Sequence, residues 1–260
     1  MPCIYQLGDS ISDTGNLIRD NSSVVCARLS YGKTFFQNPT GRCSNDLLMI
    51  DYFEQSIGIH FPEPYLKKDG TFTQGMNFAV AGATALPSEV LAKKGVLSPS
   101  TKSSLSRQLE WMSAHFNTPC SSPQECSKKL KKSLFMVGEI QGNDYNHPFF
   151  QGKTFEEVKA SMPEVIHAIK DAVTRVIVHG ASWVVVPRNF PIICLPSCFT
   201  LFQTNNTSAY NKYHCLKYLP MDHNKYLQQA IEQLRVEHPN VILVYADCNA
   251  AFIWLLDNAA

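Results

Sequence analysis

Three short segments of the 260-residue sequence carry residue types suited to nucleophilic acyl transfer. The first is Gly8-Asp9-Ser10-Ile11-Ser12-Asp13-Thr14-Gly15-Asn16. A serine set behind a glycine at a strand-to-helix turn can present its hydroxyl at a sheet edge, where helix N-terminal N–H groups face a developing anion. The second segment, residues 77–84, contains Gly82, which lets a backbone N–H approach a substrate oxygen with no Cβ in the way. The third, residues 138–145, contains Asn143, whose side-chain N–H can reach the same oxygen. Each has a plainer reading. Asp9 or Ser10 could cap a helix, Gly82 could serve a tight turn, and Asn143 could bond its own backbone. What links the three is that each follows an apolar, strand-like run.

The rest of the chain supplies those strands. Apolar runs at 3–7, 76–80, 134–137, 183–186 and 241–245 read as five strands. Helical patterns over 44–57, 106–115, 161–180, 227–234 and 250–256 alternate with them. Ser161-Met162-Pro163-Glu164 has capping-box spacing with an early-turn proline. Behind it Val165, Ile166, Ile169, Val173, Val176 and Ile177 recur at three- and four-residue steps up to Gly180, a C-cap residue. Residues 187–221, rich in proline and cysteine, read as a long surface loop. Strands alternating with helices predict one α/β domain over residues 1–260, with the working residues just beyond the C-terminal strand ends.

Composition narrows the function classes. Hydrophobic residues make up 45% and charged residues 17%, with net charge +1, which is a globular balance and excludes wholesale disorder. The Lys128–Lys132 run reads as a solvated face, not a nucleic-acid patch, so no nucleic-acid partner is expected. No apolar run has the ~20 residues of a transmembrane segment. Cys120 and Cys126, and Cys194 and Cys198, lack histidines at zinc-ligand spacing, and no phosphate or dinucleotide loop appears, so no metal or cofactor is expected. Nine cysteines and the Asn-x-Ser/Thr sequons at Asn21, Asn205 and Asn206 point to the secretory pathway, although no signal peptide is visible at the start of the chain. One bridge could come from Cys194, Cys198 and Cys215 and another from Cys120 and Cys126; the alternative that all are free stays open.

Ser10, Gly82 and Asn143, in that order after strands one, two and three, resemble the first three sequence blocks of the GDSL family of SGNH hydrolases. Gly41-Arg42-Cys43-Ser44-Asn45 and Val244-Tyr245-Ala246-Asp247 also look like elements of that family, in particular of its plant subgroup of acetylajmalan esterase-like proteins. The resemblance implies a three-layer, flavodoxin-like SGNH hydrolase fold with a mainly parallel five-stranded sheet, C-terminally truncated. It implies Ser10 as nucleophile and as one oxyanion donor, with Gly82 and Asn143 completing the oxyanion hole. The implied partner is a small-molecule or lipid ester, cleaved through an acyl-serine.

The sequence departs from the family pattern at three points. Ile11 replaces leucine, and Gln141 stands where the third block has its first glycine. The family's Asp-x-x-His block, which supplies the general base and its carboxylate, does not occur after the fifth strand. Turnover by these 260 residues is therefore expected to be impaired, and a non-catalytic ligand-binding protein or an incomplete copy that does not fold alone are the alternatives. The single Asp-x-x-His present, Asp144-Tyr145-Asn146-His147, makes His147 a rescue-base candidate, with a loop histidine as the plainer reading. His179 is expected as a cation at a helix C-terminus and His223 in a helix first turn.

Overall fold

A computed structural model describes residues 3–97, 100–116, 123–191 and 214–258. Five strands, β1 (Ile4–Leu7), β2 (Gly75–Asn77), β3 (Leu134–Val137), β4 (Trp183–Pro187) and β5 (Ile242–Ala246), form one sheet in the order β2-β1-β3-β4-β5. All four pairings are parallel. In this order the chain leaves β1 for β2 on one side and returns to β3 on the other. The switch point, where α/β sheets open a crevice, therefore lies at the C-terminal ends of β1 and β3.

Strand alternation splits the sheet into two faces. Tyr5, Leu7, Phe135, Val137, Val184, Val186 and Leu243 share one face and belong to the main core. It is covered by α4 (Leu105–Phe116), α8 (Met162–Val178) and α9 (His214–Glu237). The buried stripe of α8, Val165, Ile169, Ala172, Val173 and Val176, follows the predicted spacing. On the opposite face Ile4 and Met136 pack against Leu48 and Ile50 of α2 (Met49–Ser56) and its approach. Along the register-matched row this cover runs out: Met136 is 6% exposed and Val244, two strands over, 43%, while in the next row on that face Trp183 is 39% and Ile242 46% exposed. The remaining helices are α1 (Asn16–Asp20), α3 (Ser88–Lys93), α5 (Pro123–Lys131), α6 (Gly142–Phe150), α7 (Phe155–Lys159) and α10 (Cys248–Asn258).

Several sequence expectations need correction. The helix expected over 44–57 starts only at Met49, because Ser44 and Asp46 hold turns through their own side chains. The second strand stops at Asn77, whose Oδ1 accepts the Ala79 N–H and turns the chain out of the ladder. Ser161 makes no side-chain cap: it is already in αR conformation, as the turn ending α7 runs almost directly into α8. The capping box sits instead at Thr154 and Glu157. The loop expected up to residue 221 ends by His214, where α9 begins; Pro220 lies inside that helix.

The disulfide is also not among those expected. Cys26 and Cys43 are bonded, and Cys3 and Cys248 are free. The pairings considered for Cys120, Cys126, Cys194, Cys198 and Cys215 lie outside the described residues. Among the described residues no helix is long and apolar enough to cross a membrane.

Candidate active site

β1 delivers the chain into a turn that four buried side chains fix from below. Gln108 of α4 closes on Gly8: the Gly8 N–H donates to Gln108 Oε1 at 2.9 Å, and Gln108 Nε2 donates to Gly8 O at 2.8 Å and Ser103 O at 3.2 Å. Asp13 accepts four backbone N–H bonds, from Gly15, Asn16 and Leu17 and, across the crevice, from Ala81. Asn16 Nδ2 donates to Asn77 O and Ala79 O, and Asn77 Nδ2 returns a bond to Ser12 O. These bonds tie the loop after β1 to the loop after β2.

Ser10 is half-buried on the open side of that knot. It does not stand at a helix N-terminus, as its motif suggested. Helix α1 begins six residues later, and the Asp13 carboxylate occupies the anion position at its start. Any oxyanion formed at Ser10 must therefore find its donors in the neighbouring loops.

The loop after β3 reaches Asp9, the residue before Ser10. Gly82 has φ +82°, and a Cβ there would lie 2.7 Å from Ser100 Cβ, so the tight turn and the close approach both require glycine. Asn143, in the first turn of α6, donates from Nδ2 to Ala83 O at 2.9 Å and lies 3.4 Å from Asp9 Oδ2. One carboxamide thus touches the residue beside Ser10 and the residue beside Gly82. Asp144 holds the crevice wall by accepting the N–H groups of Ala85 and Leu86. Gln141, which replaces the family glycine, is buried at the entry of α6, next to Gly142.

The electrostatics of this crevice are acidic. Asp9, Asp13, Glu139 and Asp144 are all buried. Burial, followed by the charges of Glu139, Asp144 and Asp13, pushes the Asp9 carboxyl well above the carboxylate range. Burial raises Glu139 to about 7.

The histidines are placed elsewhere. His147 is buried with Nε2 3.2 Å from Gly82 O. A carbonyl only accepts, so Nε2 carries the proton and is not free to act as a base. His179 is no cation: burial and then Arg175 lower its pKa, and its Nε2 meets Ser113 Oγ at 3.0 Å. His223 lies well inside α9, fully buried, with Nδ1 2.7 Å from Tyr145 Oη, and burial lowers it to about 3. Among the described residues no histidine is hydrogen-bonded to Ser10, and no group of three His, Cys, Asp or Glu could hold a metal ion.

A family model for GDSL-like lipase/acylhydrolase matches residues 4–257. The chain belongs to this family. GDSL esterases hydrolyse ester bonds, and the similarity extends to individual members. Acetylajmalan esterase 1 of Rauvolfia serpentina is 40% identical over 258 residues, 98% of this chain and 68% of that protein. Acetylajmalan esterase 2 of the same plant is 41% identical over 262 residues, covering 98% and 72%. A GDSL esterase/lipase of Arabidopsis thaliana is 40% identical over 252 residues, covering 94% and 65%. The chain thus spans about two thirds of the length of these relatives.

Within the GDSL segment, Asp13, Asn16, Asn77 and Gln108 do structural work that motif reading did not isolate. For Asp13 a weak signal existed, since an Asp just ahead of a helix start can accept its free N–H groups; Asn16, which bonds Asn77 O and Ala79 O, carried none. Gln108 lies 100 residues from Gly8 in the middle of an amphipathic helix and carries no local signal.

Proposed function

We propose that this protein is a serine ester hydrolase in which Ser10 is the nucleophile and the N–H groups of Ser10 and Gly82, with the Asn143 carboxamide, bind the oxyanion. Ser10 Oγ attacks the ester carbonyl, the alcohol leaves with a proton, and water releases the acid from the acyl-serine. The observation that carries this reading is the position of Asn143 Nδ2, in contact with the neighbours of both Ser10 and Gly82. Donors of this kind contribute ~3 kcal/mol each to barrier lowering. The acetyl ester in the names of two relatives favours a small-molecule ester over a long-chain lipid as substrate. The Cys26–Cys43 disulfide and the exposed sequon at Asn21 support a secretory-pathway location.

The polypeptide of residues 1–260 is expected to turn over slowly by itself, because no described histidine is hydrogen-bonded to Ser10. Loss of a base costs several powers of ten in such enzymes. The test is hydrolysis of p-nitrophenyl acetate by this polypeptide and by its Ser10→Ala variant, with and without added imidazole as an external base. A slow rate that imidazole raises only when Ser10 is present supports the proposal. Equal rates from both proteins under all conditions sink it.

The engagement of His147, His179 and His223 elsewhere favours a second reading, a protein that binds an ester in the same crevice without cleaving it. Calorimetric binding of an ester recovered intact after incubation would distinguish that case.

A further inference from the structure

At the N-terminal end of the sheet, opposite the Ser10 crevice, lies a cavity of about 230 Å³ bounded by Glu54, His60, Phe61, Glu63, Gln74 and Gly75. That is below the ~300–1,000 Å³ of drug-sized sites, so its occupant is small. Glu54, near the end of α2, is 1% exposed. Its Oε2 is buried without a hydrogen-bond partner, and among the described residues no donor reaches either carboxyl oxygen. A buried polar atom left in this state costs about 1–3 kcal/mol, so it calls for a reason.

The charges around it are otherwise balanced. On its own helix Asp51 is held by Arg42 through two bonds of 2.9 and 2.7 Å, which uses the guanidinium. Across the cavity Glu63 accepts from Lys67 Nζ and from the Thr71 N–H. The His60 backbone N–H is taken by Gln74 Oε1. Of the two carboxyls bordering the cavity, Glu54 is the one with no direct ion-pair partner among the described residues; the nearby Arg42 is spent on Asp51. The Phe61 ring, set edgewise against Phe35 and Phe36, adds an aromatic wall. No three ligating side chains converge there, so a metal ion is not the match.

We propose that this cavity is a binding site for a small organic ammonium ion, which donates N–H to the Glu54 carboxylate and lays its carbon chain against Phe61. A neutral alcohol supplies no charge to offset the ionised Glu54 carboxyl, and a carboxylate ion is repelled by that form. An ammonium supplies both the donor and the charge, and an aromatic wall favours a cation.

The test uses the 260-residue protein with n-butylammonium chloride, with n-butanol and sodium butyrate as controls at matched ionic strength. Calorimetry should detect saturable binding of the amine and none of the controls. Burial, then Asp51, raise Glu54 to about 9 against the opposing pull of Arg42. Alkylammonium ions stay charged to about pH 10.4. Affinity should therefore rise from pH 6 to 9, with a proton released to the buffer on binding at neutral pH. The Glu54→Gln variant, nearly isosteric, should bind at least tenfold more weakly. If that variant fails to fold, the pH trend and the alcohol control in the wild type still decide. The proposal is overturned if the amine does not saturate at any pH, if n-butanol binds equally well, or if folded Glu54→Gln binds like wild type. Ester hydrolysis does not enter these readouts, so they stand apart from the role given to Ser10.

Discussion

The carboxamide of Gln108 pairs with both polar atoms of the Gly8 residue, Oε1 with its N–H at 2.9 Å and Nε2 with its carbonyl at 2.8 Å. The latch sits two residues before the proposed nucleophile, in a fully buried position. Removing it leaves the Gly8 N–H without a partner in a buried site, at about 1–3 kcal/mol, while the Gly8 carbonyl keeps only the Val80 N–H at 3.2 Å. Gln108→Ala is expected to lose roughly 2–5 kcal/mol in urea unfolding, cavity included. A loss under about 1 kcal/mol would mean that water or a side-chain shift replaces the latch.

Arg42 and Asp51 form a buried two-point ion pair, and Asp51 also accepts the Leu48 N–H at 2.7 Å. Truncating one partner strands the other. Asp51→Ala is expected to cost about 3–5 kcal/mol, seen as a large fall in melting temperature. A variant melting like wild type would show that Arg42 escapes to solvent.

The neighbouring Cys26–Cys43 bridge closes a loop with a sequence separation of 17. A loop of that length contributes about 3 kcal/mol through the unfolded chain. Reduction, or a double Cys→Ser replacement at positions 26 and 43, should therefore lower stability by about that amount. An unchanged denaturation midpoint would contradict it.

Glu139 has its carboxyl raised from an ordinary 4.5 to about 7 by burial. Between these values the folded protein holds a proton that the unfolded chain has lost. The contribution to stability is complete below 4.5 and disappears as pH rises through 7. Buried histidines slope the other way, so the difference between wild type and Glu139→Gln is the quantity to measure. The glutamine variant should gain on wild type from pH 4 to 8, by a total on the order of 3 kcal/mol. A flat difference would show that Glu139 is hydrated in solution.

Gly82→Ala places a side chain at φ +82° and against Ser100. Strain of this kind costs about 1–3 kcal/mol. Thermal unfolding should register it, and any Ser10-dependent ester hydrolysis should fall with it. Unaltered melting would show that the 80–84 turn can change conformation.

The sheet was legible because four of its strands are short, largely apolar runs, while α8 repeats its buried residues at helical spacing; β2, Gly75-Met76-Asn77, only overlaps the start of the apolar run at 76–80. The chemical residues were legible as a set, since Ser10, Gly82 and Asn143 each follow a strand. What stayed hidden depends on distance along the chain. Gln108 meets Gly8 across 100 residues, His223 meets Tyr145 across 78, and neither leaves a pattern in its own neighbourhood. Helix ends were misjudged where side chains overrode pattern: Ser44 and Asp46 delayed α2, and the αR backbone at Ser161 made its hydroxyl cap unnecessary. The disulfide was missed because spacing alone does not choose among nine cysteines.

The thinning cover beneath β4 and β5 has a practical meaning for anyone handling the purified polypeptide. Trp183 on β4, with Ile242 and Val244 on β5, the outermost strand among the described residues, forms a greasy flank, the kind of surface through which molecules stick to one another. Light scattering should therefore rise with protein concentration and with sulfate salts, and fall in mild detergent, while a charged replacement such as Val244→Lys keeps the solution clear.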